Sequence, residues 1–152
     1  MELDVRLTIG LVIFDSTRGK YLILRRNPER YRGWGLIKGG IDCGETPQQA
    51  CVRETLEEIG ISLDEKMLRD LEHRSAYYDN THSMVVMVEW FVVECEKLSN
   101  LKLEDAEWVD HRWTTYEEAL YELVWQTQQR ALRIAQMLLT QNEKPLEAED
   151  GE

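Results

Sequence analysis

Four glutamates fall within a span of 14 residues, and three of them are spaced to share one face of a helix. Glu54, Glu57 and Glu58 stand at positions i, i+3 and i+4, and Glu45 precedes them. Like charges at this spacing repel each other by about 0.2–0.5 kcal/mol per pair on an exposed helix. A bound Mg²⁺ ion would remove that repulsion, because it takes carboxylate oxygens and bridges them to substrate phosphates.

Acidic spacing alone does not require a metal, since the solvent-exposed face of a helix is often charged. The flanking residues predict where the helix begins and ends. Thr46 suits the N-cap, Pro47 the first helical position, and Gln49 completes a capping box. Gly60 suits the position just after the last turn. The opposite, buried face of this helix is predicted to consist of three apolar side chains: Val52, Leu56 and Ile59.

The stretch 39–61 as a whole resembles the Nudix box, the signature motif of the Nudix hydrolases. The matching residues are Gly39, Glu45, Arg53, Glu54, Glu57, Glu58, Gly60 and Ile61, all in register. Thr55 occupies the first aliphatic position, a change that bears on packing rather than on chemistry. With the flanking strands and the final helix, the resemblance covers about residues 5–140. It implies an α/β Nudix fold, a mixed β-sheet sandwiched between helices.

The resemblance also implies the chemistry. Nudix hydrolases cleave a nucleoside diphosphate linked to another moiety, with Mg²⁺ as cofactor and Mn²⁺ as a possible substitute. Glu54, Glu57 and Glu58 match the metal-ligand positions of the family. Glu58 is our first choice for the general base, with Glu57 and Arg53 as the other catalytic residues. Arg53 stands four residues before Glu57 and is expected to orient a glutamate rather than to touch the substrate.

The segment that precedes the box bears on the substrate. Residues 34–39 resemble the W-x-x-P-K-G segment of the diadenosine tetraphosphate (Ap4A) hydrolases, with Ile37 in place of the proline. Lys38 is interpreted either as a phosphate contact or as a solvated lysine. Trp34, Lys38 and Gly39 are therefore candidate substrate-binding residues.

Two further groups of residues outside the box are candidates. Glu107 is either an additional metal ligand or base, as in some Nudix enzymes, or an ordinary surface acid. Arg25 and Arg26 end a strand, and one of them can reach a phosphate. A nucleobase needs an aromatic platform, and the candidates for stacking are Tyr77, Tyr78 and Tyr31, whereas Trp90 and Trp125 are interpreted as packing residues.

Composition limits the function classes. The chain has 152 residues and a net charge of −11, which argues against general nucleic-acid binding and against binding to anionic membranes. Three cysteines without a CxxC pair fit free thiols in the reducing cytoplasm. We find no signal peptide and no apolar run long enough for a bilayer. The predicted partner is a small-molecule nucleotide, and the oligomeric state stays open.

The predicted elements form one domain, residues 1–141, followed by an acidic and disordered tail, residues 142–152. Besides the box helix, the patterns predict one long final helix from about Thr114 to Leu139, including Leu123 and Val124 in its buried stripe. A loop is predicted over residues 27–35. The predicted strands cover residues 5–14, 21–24, 74–78, 83–94 and 106–113.

The leading hypothesis is a Mg²⁺-dependent pyrophosphohydrolase that converts a dinucleoside polyphosphate such as Ap4A to ATP and AMP. A house-cleaning nucleoside triphosphate pyrophosphatase and an RNA 5′ pyrophosphohydrolase are the enzymatic alternatives. The net charge of −11 argues against the RNA enzyme, because an RNA substrate favours a basic surface. A binding module that has lost catalysis is a fourth possibility, and the intact glutamates argue against it.

Overall fold

The computed structural model describes residues 2–29 and 32–143. The strands are β1 (Asp4–Asp15), β2 (Lys20–Arg26), β3 (Trp34–Gly35), β4 (Ile37–Gly40), β5 (Leu68–Asp79), β6 (Met84–Cys95) and β7 (Trp108–Thr114). The helices are α1 (Pro47–Ile59), α2 (Tyr116–Glu122) and α3 (Gln126–Glu143), and Glu65–Met67 forms a 3₁₀ turn. None of the helices in the described part of the chain is long and apolar enough to cross a membrane.

The strands form one mixed sheet in the order β3-β2-β1-β6-β5, with β4 paired to β1 and β7 paired to β2. β1 and β6 run parallel along their whole length, whereas the other pairs are antiparallel. Alternate residues of β1 enter different cores, because successive side chains of a strand point to opposite faces. Ile9, Leu11 and Ile13 pack with α1, and Val12 packs with α2 and α3. The predicted mixed sheet between helices is therefore confirmed.

α1 begins and ends as the sequence predicts. Thr46 and Gln49 form the capping box, and Gly60 closes the helix in the left-handed conformation at φ 72°. The predicted buried face is wrong in part, because Leu56 is 52% exposed. The helix is rotated so that Thr55 and Glu58 face inward, together with Ala50, Cys51 and Ile59. Thr55 fits because its hydroxyl donates to the Cys51 carbonyl oxygen at 2.7 Å.

The predicted final helix is two helices. Leu123 leaves the helical conformation at φ −64° and ψ 126° and forms an isolated bridge with Trp34. This contact with the edge of the sheet breaks the helix although the apolar spacing continues through it. Val124 is therefore exposed, and Trp125, predicted as a packing residue, is 49% exposed. Trp90 is fully buried, as predicted.

The glycine-containing segment at the start of the box is a strand. Gly39 and Gly40 of β4 pair with Ile9 and Thr8 of β1, and the short strand β3 lies within the predicted loop. α3 extends to Glu143, two residues into the predicted tail. The rest of that tail, residues 144–152, and Tyr31 lie outside the described residues. Cys51 and Cys95 are buried free thiols, and Cys43 is an exposed one.

Candidate active site

A cleft with a volume of about 270 Å³ opens where β1, β4, β5 and α1 meet the segment before β7. Its lining carries charges of both signs. The carboxylates are those of Glu54, Glu58, Glu104, Glu107 and Asp79. The cations are Arg6, Arg26 and Lys38. Such a lining can bind a polyanion through its basic side and a cation through its acidic side.

Gly39 and Glu54 lie against each other in the lining of the cleft. A Cβ atom on Gly39 would lie 2.2 Å from Cδ of Glu54, closer than any side chain permits. Glycine at this position therefore lets the Glu54 carboxylate lie directly on β4. Gly39 is predicted as a substrate-binding residue, and the structure gives it this steric function in addition.

Glu58 lies one helical turn after Glu54 in α1, and it is only 3% exposed. Its Oε1 accepts a hydrogen bond from Nε1 of Trp108 at 2.9 Å. No group of the described residues donates to its Oε2. Burial, followed by the adjacent Glu54 carboxyl group and then the charge of Glu107, raises the pKa of Glu58 to about 9. A buried carboxyl oxygen without a donor, next to a second carboxylate, suits a bound cation.

Arg53 holds the other glutamates of the box from outside the cleft. Its Nε donates to Glu45 at 2.8 Å, and its Nη1 donates to Glu54 at 2.9 Å and to Glu57 at 3.2 Å. Nη2 donates to the carbonyl oxygen of Gly40 at 2.8 Å. The hydrogen bonds from Arg53 lower the pKa of Glu45 to about 2. Arg53 thus ties α1 to β4 and to the loop between them.

The basic side is built around Lys38 and Arg26. Lys38 Nζ donates to the Tyr77 hydroxyl at 2.5 Å and lies 4.4 Å from the centre of the Tyr77 ring. Burial and then the charges of Arg26 and Arg6 lower the pKa of Lys38 to about 8. Arg26 lies over the Trp108 ring at 4.5 Å and pairs with Glu107 at 3.3 Å. Three cations held this close together leave a positive potential that suits phosphate groups.

Comparison with known proteins places the chain in a family. The sequence profile of the NUDIX domain matches residues 4–135. The chain belongs to the Nudix family. An RNA pyrophosphohydrolase from Gluconobacter oxydans is 33% identical over 147 residues, a match that covers 80% of this chain and 84% of that protein.

Two other similarities have different scope. An octanoyltransferase from Myxococcus xanthus is 36% identical over 70 residues, but the match covers only 46% of this chain and 19% of that protein. The structure of an Ap4A hydrolase from C. elegans aligns with a TM-score of 0.73 and 24% identity, over 89% of this chain and 98% of that chain. At this identity the structural likeness concerns the Nudix fold.

The Nudix cleft collects most of the residues proposed from sequence, but not all of them. Glu54, Glu58, Glu107, Lys38, Gly39 and Tyr77 line it. Arg53 and Glu57 do not line it, and the side chain of Glu57 is half-exposed and paired with Arg53. Trp34 lies elsewhere, against the core near α2 and α3, with Arg112 at 5.4 Å from its ring.

Only one of the two adjacent tyrosines faces the Nudix cleft. Tyr77 lines it, whereas Tyr78 is absent from the lining and is 52% exposed. Neighbouring residues of a strand point to opposite faces of the sheet, so Tyr77 and Tyr78 cannot both reach the same ligand. The sequence also leaves one of the two tyrosines as a core residue, and that expectation is wrong for Tyr78.

Sequence reasoning missed Arg6 and Glu104. Arg6 is the one basic residue in the apolar stretch that precedes Gly10, which was a signal that this end of β1 is polar on one face. Glu104 lies three residues before Glu107, and its backbone N–H donates to the Glu58 carbonyl oxygen at 2.8 Å. This bond fastens the segment before β7 to the end of α1 and brings Glu104 beside the box.

The carboxylate oxygens in the lining of the cleft are suitable ligands for a divalent metal. Nudix proteins generally use divalent ions such as Mg²⁺, which prefer carboxylate oxygens. Glu58 Oε2 is a buried oxygen without a donor among the described residues. Within that part of the chain, no three acidic, histidine or cysteine side chains already converge as a ready ligand set. Glu54 and Glu57 each pair with Arg53 instead.

Proposed function

We propose that the chain is a Nudix pyrophosphohydrolase that uses a divalent metal to cleave a phosphoanhydride bond of a nucleoside polyphosphate. The observation that carries this proposal is the presence, in the lining of one cleft, of the Glu54 and Glu58 carboxyl groups together with three cations. A polyphosphate needs both sides, because its charge must be neutralised along its length while one phosphorus is attacked. A binding module needs no buried carboxyl group that lacks a donor.

The metal would be held by Glu54 and Glu58, together with Glu104 or Glu107 from the segment before β7. A divalent ion bound there supplies neutralisation of phosphate charge and a water of lowered pKa. Glu57 stands on the exposed side of Arg53 and contributes by pairing with it. Arg53 is a positioning residue, since it contacts the glutamates and the Gly40 carbonyl rather than the cleft.

The remaining roles belong to the side chains of the chain itself. Lys38, Arg6 and Arg26 bind the phosphate oxygens, with Arg26 held flat by the Trp108 ring. With its Oε2 committed to the metal, Glu58 acts as a ligand, and the proton of the attacking water goes to another carboxylate of the cleft, Glu107 or Glu104. The ring of Tyr77 stacks on a nucleobase at the side where Lys38 binds the phosphates.

The first substrate candidate is a dinucleoside polyphosphate such as Ap4A, hydrolysed to ATP and AMP. Two features support it. The cleft offers an aromatic ring beside a cation cluster. The net charge of −11 disfavours a long polyanion outside the cleft.

The second candidate is the 5′-triphosphate end of an RNA. A specific observation favours it: the Gluconobacter oxydans relative named RNA pyrophosphohydrolase is 33% identical along most of both chains. Only the terminal phosphates would need to enter the cleft, so three cations there are sufficient for this substrate as well.

The test is product chromatography with three parallel substrates in Mg²⁺: Ap4A, a nucleoside triphosphate and a 5′-triphosphorylated RNA. ATP plus AMP from the dinucleotide supports the first candidate, and pyrophosphate plus 5′-monophosphorylated RNA supports the second. Cleavage of the free triphosphate alone points to a house-cleaning enzyme. Chelator and the variant Glu58→Gln should each abolish turnover. Turnover that survives both would refute the assignment of the metal site.

A further inference from the structure

Trp108 contacts both charged sides of the cleft, although it does not line it. The indole is 1% exposed and belongs to the core on the α1 side of the sheet. Its edge donates to Glu58 Oε1 at 2.9 Å, and its face carries the Arg26 guanidinium at 4.5 Å. Packing explains the burial, but a phenylalanine ring would fill a core as well.

The indole N–H decides how the Glu58 carboxyl group is turned. Since Trp108 occupies Oε1, Oε2 is the oxygen left for a metal, and no described residue donates to it. A carboxyl group without this bond can rotate about its last torsion, which is broad and roughly two-fold. Partners that fix the orientation of a metal ligand typically account for about 10–100-fold in metal affinity.

The indole face has a second effect. Arg26 stacks on it and pairs with Glu107 at 3.3 Å. Stacking of this kind keeps a guanidinium parallel to the ring. The indole thereby supports the Arg26 guanidinium beside Glu107.

We infer that Trp108 is a positioning residue that sets the orientation of Glu58 for a divalent cation through its indole N–H. This inference rests on the proposed metal-dependent function. It predicts that the N–H, and not the volume of the ring, determines metal affinity. Trp108→Phe keeps a stacking ring for Arg26 and removes only the donor and part of the volume.

Trp90→Phe is a matched control. Trp90 is likewise fully buried, and its Nε1 donates to the Ser75 hydroxyl at 3.1 Å. It belongs to the core on the other side of the sheet, and its indole N–H bonds to Ser75 rather than to Glu58. The two variants therefore remove the same group from similar surroundings.

The experiment is a Mn²⁺ titration followed by electron paramagnetic resonance, without substrate, on the wild type and both variants. The wild type is measured first: if it binds no Mn²⁺, the proposed metal-dependent function fails. If it binds, we expect Trp108→Phe to weaken the affinity by about tenfold and Trp90→Phe to leave it within about twofold. Equal affinity of Trp108→Phe and wild type would overturn the inference while leaving the proposed function standing.

A measurement on the wild type keeps the inference testable even where Trp108→Phe folds poorly. The indole N–H resonances of ¹⁵N-labelled protein report each tryptophan separately. Addition of Mg²⁺ should shift the Trp108 resonance and leave that of Trp90 in place. Metal binding without a shift at Trp108 would also overturn the inference.

Discussion

Asp15 and Glu58 are both buried carboxyl groups, but the fold provides for them in opposite ways. Asp15 is 0% exposed and Glu58 is 3% exposed. Asp15 accepts backbone N–H groups from Thr17 at 2.9 Å, Leu98 at 3.0 Å, Arg18 at 3.3 Å and Lys97 at 3.3 Å, and it also pairs with the Arg18 guanidinium. Glu58 has one indole donor and a neighbouring carboxyl group.

The two pKa shifts follow from this difference. Burial raises the pKa of Asp15, but the hydrogen bonds from Leu98, Arg18 and Thr17 outweigh it, so the pKa is lowered. Burial and the Glu54 carboxyl group raise the pKa of Glu58, and the single bond from Trp108 does not compensate. A carboxylate with a full set of donors is a structural anchor. One left short of donors is suited to a ligand that arrives later.

The difference between the two buried carboxyl groups is tested most directly by a substitution at Glu58. The raised pKa leaves Glu58 protonated and neutral in the metal-free protein at about pH 7, so Glu58→Gln exchanges one neutral group for another and should leave the stability close to that of the wild type. Its activity should fall by about 10²-fold or more, because a metal ligand is lost. Steady-state kinetics with Mg²⁺ and thermal unfolding with chelator measure the two effects. A large loss of stability would place Glu58 in the same class as Asp15.

Asp15→Asn should show the reverse pattern. The amide keeps one acceptor oxygen but loses the charge that binds the Arg18 guanidinium and the N–H groups of Lys97 and Leu98. We expect a loss of about 2 kcal/mol in the free energy of unfolding, the range for hydrogen bonds to charged groups. Urea denaturation measures it. The Mn²⁺ affinity should be unchanged, and a parallel loss of metal binding would contradict the separation of the two regions.

Gly39→Ala tests whether the position of the Glu54 carboxyl group matters for metal binding. The added Cβ would meet the Glu54 carboxyl group, which is the flexible end of a side chain and can move away at little cost in stability. This movement takes the Glu54 carboxyl group, a proposed metal ligand, away from Glu58. We expect Mn²⁺ affinity to fall by about tenfold with a change of less than about 1 kcal/mol in the free energy of unfolding. Gly19→Ala is the control for metal affinity: its Cβ meets nothing within 4 Å, but the φ of +67° makes alanine strained there, so it should cost stability and leave the Mn²⁺ affinity unchanged.

Short-range signals predict the local structure well. The caps of α1, from Thr46 to Gly60, follow from backbone chemistry within a few residues, and so does the position of the Nudix box. The face that α1 buries is a different matter. Apolar spacing favoured Leu56, whereas the structure buries Thr55 and Glu58. The Thr55 hydroxyl has a partner in the Cys51 carbonyl oxygen, and Glu58 has a donor at Oε1 only. Those partners include Trp108, 50 residues away in sequence.

The cleft itself depends on such long-range pairing. Arg6 reaches the site because β1 pairs with β4, and Glu104 because its segment is bonded to the end of α1. The helix break at Leu123 follows from its bridge to Trp34, not from the local sequence, which keeps a helical period. Contacts of this kind override local propensity and are not visible in a single sequence.

The smallest expected effect is in the pH dependence of stability, and it tests Asp15 alone. An aspartate in the unfolded chain titrates at about pH 3.9. The folded pKa of Asp15 lies below its ordinary value. Its ionised form therefore stabilises the fold fully above the unfolded pKa, and this stabilisation is lost as the pH falls through the folded pKa. The difference in free energy of unfolding between wild type and Asp15→Asn should thus shrink on acidification.

Urea denaturation of both proteins at steps from about pH 6 to about pH 2, which brackets the unfolded aspartate pKa, measures this difference. Asp64→Asn is the control, because Asp64 is an exposed carboxylate that accepts a single backbone N–H, from Lys66 at 2.9 Å. Its difference from the wild type should be small throughout. If the difference in free energy of unfolding between wild type and Asp15→Asn does not shrink at the lowest pH, the charge of Asp15 is not what stabilises the fold. The shape of the Asp15 side chain would then hold Lys97 and Leu98 in place. The contrast with Glu58 would then be one of packing rather than of electrostatics.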